Sequence, residues 1–263
     1  MLRTGFCLFF LPFSFILSAP VSDSSSPAVL QQGIFLEENN WGNVQAGYEG
    51  NFVFDRRLAR YADGEKRIDR YEIYIQSGDI QLDWQDKFSV FTTLGSGKID
   101  TDFQIVANGY CRRAVLKSAE DFSWSLGLKA LLASWKNLHV GAGCRYTTLE
   151  PLLHFFSLDG ELVDTNGQRL HFREWQVNVG VSYEVGFFTP YIGSKYTQAR
   201  SHVELPTSSN GITEDEKKQF FRSRQNFGLY LGCTITPRKL FFVTLETRLI
   251  DEEAVSVFAT LRL

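Results

Sequence analysis

The sequence predicts an all-β protein, a transmembrane antiparallel β-barrel of about ten strands, with eight to twelve as the range. Three observations carry this. Side chains alternate strictly between an apolar and a polar face over stretches of about ten residues, the length a tilted strand needs to cross a bilayer. The connections between those stretches alternate between tight and long. Beyond residue 19 no apolar run is long enough for a membrane helix, so an exported chain of this kind is either soluble or a barrel.

The chain begins with a transport address. Arg3 supplies the positive charge, residues 5–17 are almost unbroken apolar sequence, and Ser18 and Ala19 are small. Residues 1–18 therefore read as a signal peptide for export, with cleavage after Ser18 or a few residues later, because Pro20 suits a cut at Ala19 poorly. The Ser-rich stretch 19–40 reads as a periplasmic tail, and 41–263 as the barrel.

Within the barrel the alternation can be followed strand by strand. Over residues 44–54, Val44, Ala46, Tyr48, Phe52 and Phe54 oppose Gln45, Glu49 and Asn51. Phe122, Trp124, Leu126 and Leu128 oppose Ser123, Ser125, Gly127 and Lys129, and after the turn at 135–137, Leu138, Val140, Cys144 and Tyr146 oppose His139, Gly141, Gly143 and Arg145. Trp175, Val177, Val179, Val181 and Tyr183 oppose Gln176, Asn178, Ser182 and Glu184. At the end, Val255, Val257, Ala259, Leu261 and Leu263 share one side, with Ser256, Thr260 and Arg262 on the other.

Tight turns at 84–87, 135–137, 185–188 and 236–239, and long connections near 55–67, 96–120, 149–173 and 200–224, organise ten strands: 41–54, 68–84, 87–96, 121–134, 138–149, 171–184, 188–199, 222–236, 239–250 and 254–263. Residues 99–116 could add a hairpin and make twelve. Short turns belong on the periplasmic side and long loops outside. Trp41, Tyr71, Trp84, Trp124, Trp135, Trp175, Phe187, Phe188 and Phe241 lie near strand ends, where aromatic girdles sit at the headgroup level.

Other chemistries are excluded or weak. The 263 residues carry a formal charge of -3, with no basic excess to hold a polyanion, so nucleic acid is not an expected partner. Cys111, Cys144 and Cys233 have no close spacing, and His139, His154, His171 and His202 are scattered, so no metal and no cofactor is expected. Gly95-Ser96-Gly97-Lys98 lacks the spacing and the following hydroxyl of a phosphate loop. Residues 214–218 form a charge run expected in an outer loop, where its cations would meet lipopolysaccharide.

Several stretches resemble the chlamydial major outer membrane porins. Residues 243–252 (VTLETRLIDE) are similar to that family's C-terminal hairpin, and 47–56 (GYEGNFVFDR), 91–95 (FTTLG), 174–176 (EWQ) and 188–193 (FTPYIG) agree in order, together spanning most of the mature chain outside its loops. The resemblance implies an outer-membrane barrel that passes small solutes, bears variable surface loops and forms a homo-oligomer, a trimer. The chain departs from the family in its much shorter loops and few cysteines. Cys144 and Cys233 fall on the apolar parity, so little cross-linking through them is expected.

Candidate pore-lining residues are the charged groups of the polar parity: Glu49, Lys129, Arg145, Glu184, Lys195, Glu246, Arg248 and Arg262, with His139. Five bases against three acids imply at most mild anion preference in an open passage. Alternatively they pair with one another and fill a narrow barrel. The function expected is a porin-like channel for small hydrophilic solutes and ions in the outer membrane, and not an enzyme. The runner-up is a closed structural barrel or surface adhesin. A third reading, an outer-membrane hydrolase, would need Asp159, Asp164, His154 and His171 to gather at the outer rim.

Overall fold

The computed structural model describes residues 42–60, 68–84, 87–107, 110–165, 167–205, 218–238 and 241–263. The signal peptide and tail expected at 1–40, with Trp41 and most of the 214–218 charge run, lie outside the described residues. Those described contain fifteen strands and no helix.

Ten strands close the barrel: β1 (Gly42–Arg56), β3 (Arg70–Trp84), β4 (Phe88–Ala107), β6 (Asp121–Trp135), β7 (Leu138–Leu149), β10 (Leu170–Tyr183), β11 (Phe188–Glu204), β13 (Phe227–Arg238), β14 (Phe241–Leu249) and β15 (Glu252–Arg262). Each pairs antiparallel with the next, and β15 returns to β1, with Leu261 opposite Ala46 and Val255 opposite Phe52. A closed ring leaves no sheet edge, so every ladder hydrogen bond within the bilayer is made inside the protein.

The remaining strands stand in the long connections: β2 (Leu58–Arg60), β5 (Tyr110–Ser118), β8 (Leu153–Leu158), β9 (Glu161–Val163) and β12 (Lys218–Ser223). They extend the wall outward, β5 on the outer half of β4, β8 on β5, and β12 on the outer half of β11. The 99–116 segment therefore does form a hairpin, but it adds no membrane strand and the barrel stays at ten. The expected strand 222–236 is two: its first residues belong to β12, and the barrel strand begins at Phe227.

Apolar side chains cover the outside of the membrane zone. Val44, Ile80, Leu82, Leu94, Leu126, Val179, Ile192, Leu231 and Leu245 are all exposed to the surroundings, while Gln45, Ser77, Ser125, Asn178, Thr234 and Ser256 are buried inside. In water such a surface would be costly at this extent, and in hydrocarbon it is matched. Trp84, Trp135, Phe187, Phe188 and Phe241 surround the short-turn end. Toward the other end, Trp124 packs with Tyr146 at 5.7 Å and Trp175 with Tyr196 at 5.5 Å.

Tyr71 corrects the girdle expectation. It is fully buried inside the barrel, and its hydroxyl donates to Ser201 Oγ at 2.8 Å. It belongs to a second zone, in which the inward parity itself becomes apolar. Toward the outer end, Val53, Ile73, Ile75, Ile99, Phe103, Leu149, Phe172, Ala199 and Ala254 turn inward and meet Leu58, Leu116, Phe156 and Phe221 from the outer extensions. Each fully buried Phe or Ile there contributes roughly 1.5–3 kcal/mol. The barrel is thus lined by polar side chains below and capped by a hydrophobic core above.

Candidate functional site: the charged lumen

Period-two geometry places every second residue of each barrel strand in the lumen. Of the residues expected to line it, Glu49, Lys129, His139, Arg145, Lys195, Glu246, Arg248 and Arg262 are all buried, none above 6% exposed. Glu184 is half-buried at the periplasmic end, its carboxylate 3.1 Å from His139 Nε2.

Arg145 is the centre of the middle layer. Its Nη2 lies 2.7 Å from Glu49 Oε1 and donates to Ser125 Oγ at 2.7 Å and Thr93 Oγ1 at 3.2 Å. The guanidinium sits over the Phe91 ring at 5.6 Å, and Lys129 sits over the same ring at 4.9 Å while donating to Gln81 Oε1 at 3.1 Å. Glycines make room for these rings. A Cβ on Gly127 would lie 2.2 Å from Phe91, so only glycine lets that aromatic lie flat in the lumen. Nearby, Tyr191 donates to Glu246 Oε2 at 2.9 Å.

Above this layer three cations meet three carboxylates. Arg56 reaches Glu174 at 2.9 Å, Asp251 at 3.3 Å and Glu252 at 2.5 Å. Lys195 pairs with Asp251 at 3.0 Å and also with Glu252, while Arg248 pairs with Glu252 at 3.1 Å and donates to Asn51 Oδ1 at 2.9 Å. Asp251 and Glu252 arrive from the outer β14–β15 turn, where Ile250 holds φ at 84°, a conformation costly for a β-branched residue. The two carboxylates, locked by Arg56 and Lys195, keep that turn folded inward.

Between the charge cluster and the apolar cap lies a cavity of about 20 Å³ bounded by Asn51, Ile75, Arg145, Phe172, Glu174 and Arg248, room for about one water. A layer of ion pairs, rings packed against glycines and the apolar cap follow one another along the described lumen. The expected charge balance is corrected as well. Asp79, Asp83, Glu174, Asp251 and Glu252 also face inward, and so does Arg56, so the excess of bases disappears and with it the basis for anion preference. The signal for Asp79 and Asp83 was present: Ile73, Ile75, Ser77, Asp79, Gln81 and Asp83 share one parity against Gln76, Ile80, Leu82 and Trp84.

Two of the residues a rim hydrolase would need, Asp159 and His171, are engaged with other partners. Asp159 accepts from the Arg113 backbone at 2.8 Å and faces Arg112, whereas His171 pairs with Glu150 at 3.2 Å and stacks on His202. Among the described residues no group of three or more His, Cys, Asp or Glu is placed to hold a metal ion. Cys111, Cys144 and Cys233 are free thiols.

An apolar belt between aromatic rings, a closed ladder and a polar lumen define a membrane β-barrel, and the protein is one of the outer membrane. No protein-family model matches the chain. It is similar to major outer membrane porins of Chlamydia trachomatis, at 23% identity to the serovar L3 protein over 95% of this chain and 96% of that one, and of Chlamydia muridarum, at 22% identity over 92% and 94%. The aligned length of 379 positions exceeds the whole chain, so those relatives carry insertions that this protein lacks. Among solved structures it is similar to the outer membrane protease OmpT from Escherichia coli, with 10% identity, a TM-score of 0.45 and coverage of 84% of this chain and 94% of that one. It is also similar to an outer membrane channel from Pseudomonas putida F1, with 8% identity, a TM-score of 0.41 and coverage of 88% and 99%.

Proposed function

We propose that the protein is a porin-like channel for passive diffusion of small hydrophilic solutes and ions across the outer membrane. The observation that carries the reading is the polar stack along the barrel axis, from His139 and Arg262 near the periplasmic end, through Glu49–Arg145, to the Arg56–Glu252 cluster. A barrel kept only as a wall could fill its interior with apolar side chains at lower desolvation cost. The porin resemblance over nearly the whole chain supports the same conclusion, and the reading involves no catalytic step. Opening requires the inward β14–β15 turn to leave Arg56 and Lys195, and the apolar cap to part. With acids and bases nearly balanced along the path, the channel selects weakly by charge.

The second reading, a sealed structural barrel, is favoured by the near-complete burial of the lumenal charges. Planar-bilayer recording on protein of verified fold separates the two. Ohmic steps of small conductance, more frequent in Glu252→Gln because the turn is released, support the channel. Silence from both proteins, across applied voltages, supports the sealed barrel.

A further inference from the structure

On the outside of the barrel, strand register aligns three arginines in a row. Arg173 on β10 faces Arg200 on β11, and Arg200 faces Arg222 on β12. All three are exposed and share the outward parity of Trp175 and Ile192. The next row outward is His171, His202 and Phe220, with the two imidazoles stacked at 4.4 Å. The next row inward, toward the hydrocarbon, holds Trp175, whose indole donates to Gln198 at 2.8 Å and packs on Tyr196. Among the described residues two acidic groups lie close by. Glu150 lies 3.5 Å from Arg173 and 3.2 Å from His171, and Glu204, further out, is engaged by Lys218 at 3.5 Å.

Like charges directly opposite one another in a sheet repel. A chain with net charge -3 nevertheless gathers three of its guanidinium groups on adjacent strands, along a surface groove of about 740 Å³ that also takes in Phe220. Guanidinium forks match phosphate oxygens in pairs. The row's height matters equally. It begins one residue pair beyond the Trp175–Tyr196 belt, where acyl chains end and headgroups start.

We propose that Arg173, Arg200 and Arg222 form a binding site for the phosphorylated sugar headgroup of an outer-leaflet glycolipid, whose acyl chains run down the wall past Trp175 and Val177. The site rests on the outer-membrane placement of the barrel but not on whether its lumen conducts. Phosphates would bridge neighbouring guanidinium groups and relieve their repulsion, with Phe220 and the imidazoles against the sugar face.

The test is binding of diphosphoryl lipid A to the folded full-length protein in detergent, with phosphatidylglycerol and inorganic phosphate as the comparison probes. Tight, salt-sensitive binding of lipid A is expected, weaker binding of phosphatidylglycerol, and weaker still of phosphate. Each arginine near a membrane surface contributes about 5-fold, so Arg173→Gln/Arg200→Gln/Arg222→Gln should lose about 100-fold. Lys87→Gln/Lys136→Gln, in the periplasmic turns, should lose nothing. If the triple variant lacks the heat-dependent electrophoretic shift of a folded barrel, Arg200→Gln alone should lose about 5-fold. Unchanged lipid A affinity in the folded variants, or equal affinity for inorganic phosphate or phosphatidylglycerol, overturns the proposal. Bilayer conductance of the triple variant should match that of the parent, so failure of the lipid site and failure of the channel reading are told apart.

Discussion

At the scale of single residues, Glu49 and Arg145 show what the lumen demands. Both are buried and touch at 2.7 Å, so each neutralises a charge that the interior would otherwise penalise. Arg145→Met leaves Glu49 without its cation and should cost about 3–5 kcal/mol in urea unfolding from liposomes, the usual result of breaking a buried pair. Glu49→Gln/Arg145→Met should recover most of that loss, since replacing both members removes the uncompensated charge. A double variant as unstable as the single would mean that Arg145 acts through Ser125, Thr93 and Phe91 instead.

At the scale of elements, the outer rim is clasped by contacts that respond to acid. The hydrogen bond from His171, with help from Arg173, holds the Glu150 carboxyl below its usual range. A depressed carboxylate contributes stability that is full above the unfolded-state value and is lost as pH falls through the folded one. Acidification below the ordinary carboxylate range should therefore loosen the 150–171 connection before the barrel melts. Hydrogen exchange at Leu153 and Leu170, whose amides bond to Gln168 and Pro151 carbonyls, reads this directly. Glu150→Gln should show the faster exchange already at neutral pH.

The same scale explains what was legible in the sequence. Strands such as 138–149 and 171–184 were readable because, through the membrane zone, one parity is apolar and the other polar or glycine. β4 was not, because beyond Gly97 its inward residues are Ile99, Phe103 and Ile105, which a rule equating apolar with lipid-facing misassigns. Its observed end at Ala107 lies well past the expected 96. Tyr71 was misplaced for the same reason. Glu174, Asp251 and Glu252 fall in the stretches similar to porin sequences, yet their joint hold on Arg56 depends on contacts between strands distant in sequence, and local alternation does not carry that information.

For the whole molecule, the two zones divide the work. The ten-stranded ring meets lipid with its outside and carries charge inside, and the outer extensions close it with an apolar cap. A ring of this size leaves a bore that side chains can fill. That cap is the main outer structure among the described residues. Spin labels placed one at a time along β10, from Trp175→Cys to Tyr183→Cys in a cysteine-free background, test the central claim most directly. In liposomes, positions 175, 177, 179, 181 and 183 should be reached by oxygen dissolved in the bilayer, whereas 176, 178, 180 and 182 should be shielded from both oxygen and a water-soluble nickel complex. Nickel access at the even positions would show a lumen open at rest, and oxygen access on the even parity would mean that the strand faces the other way.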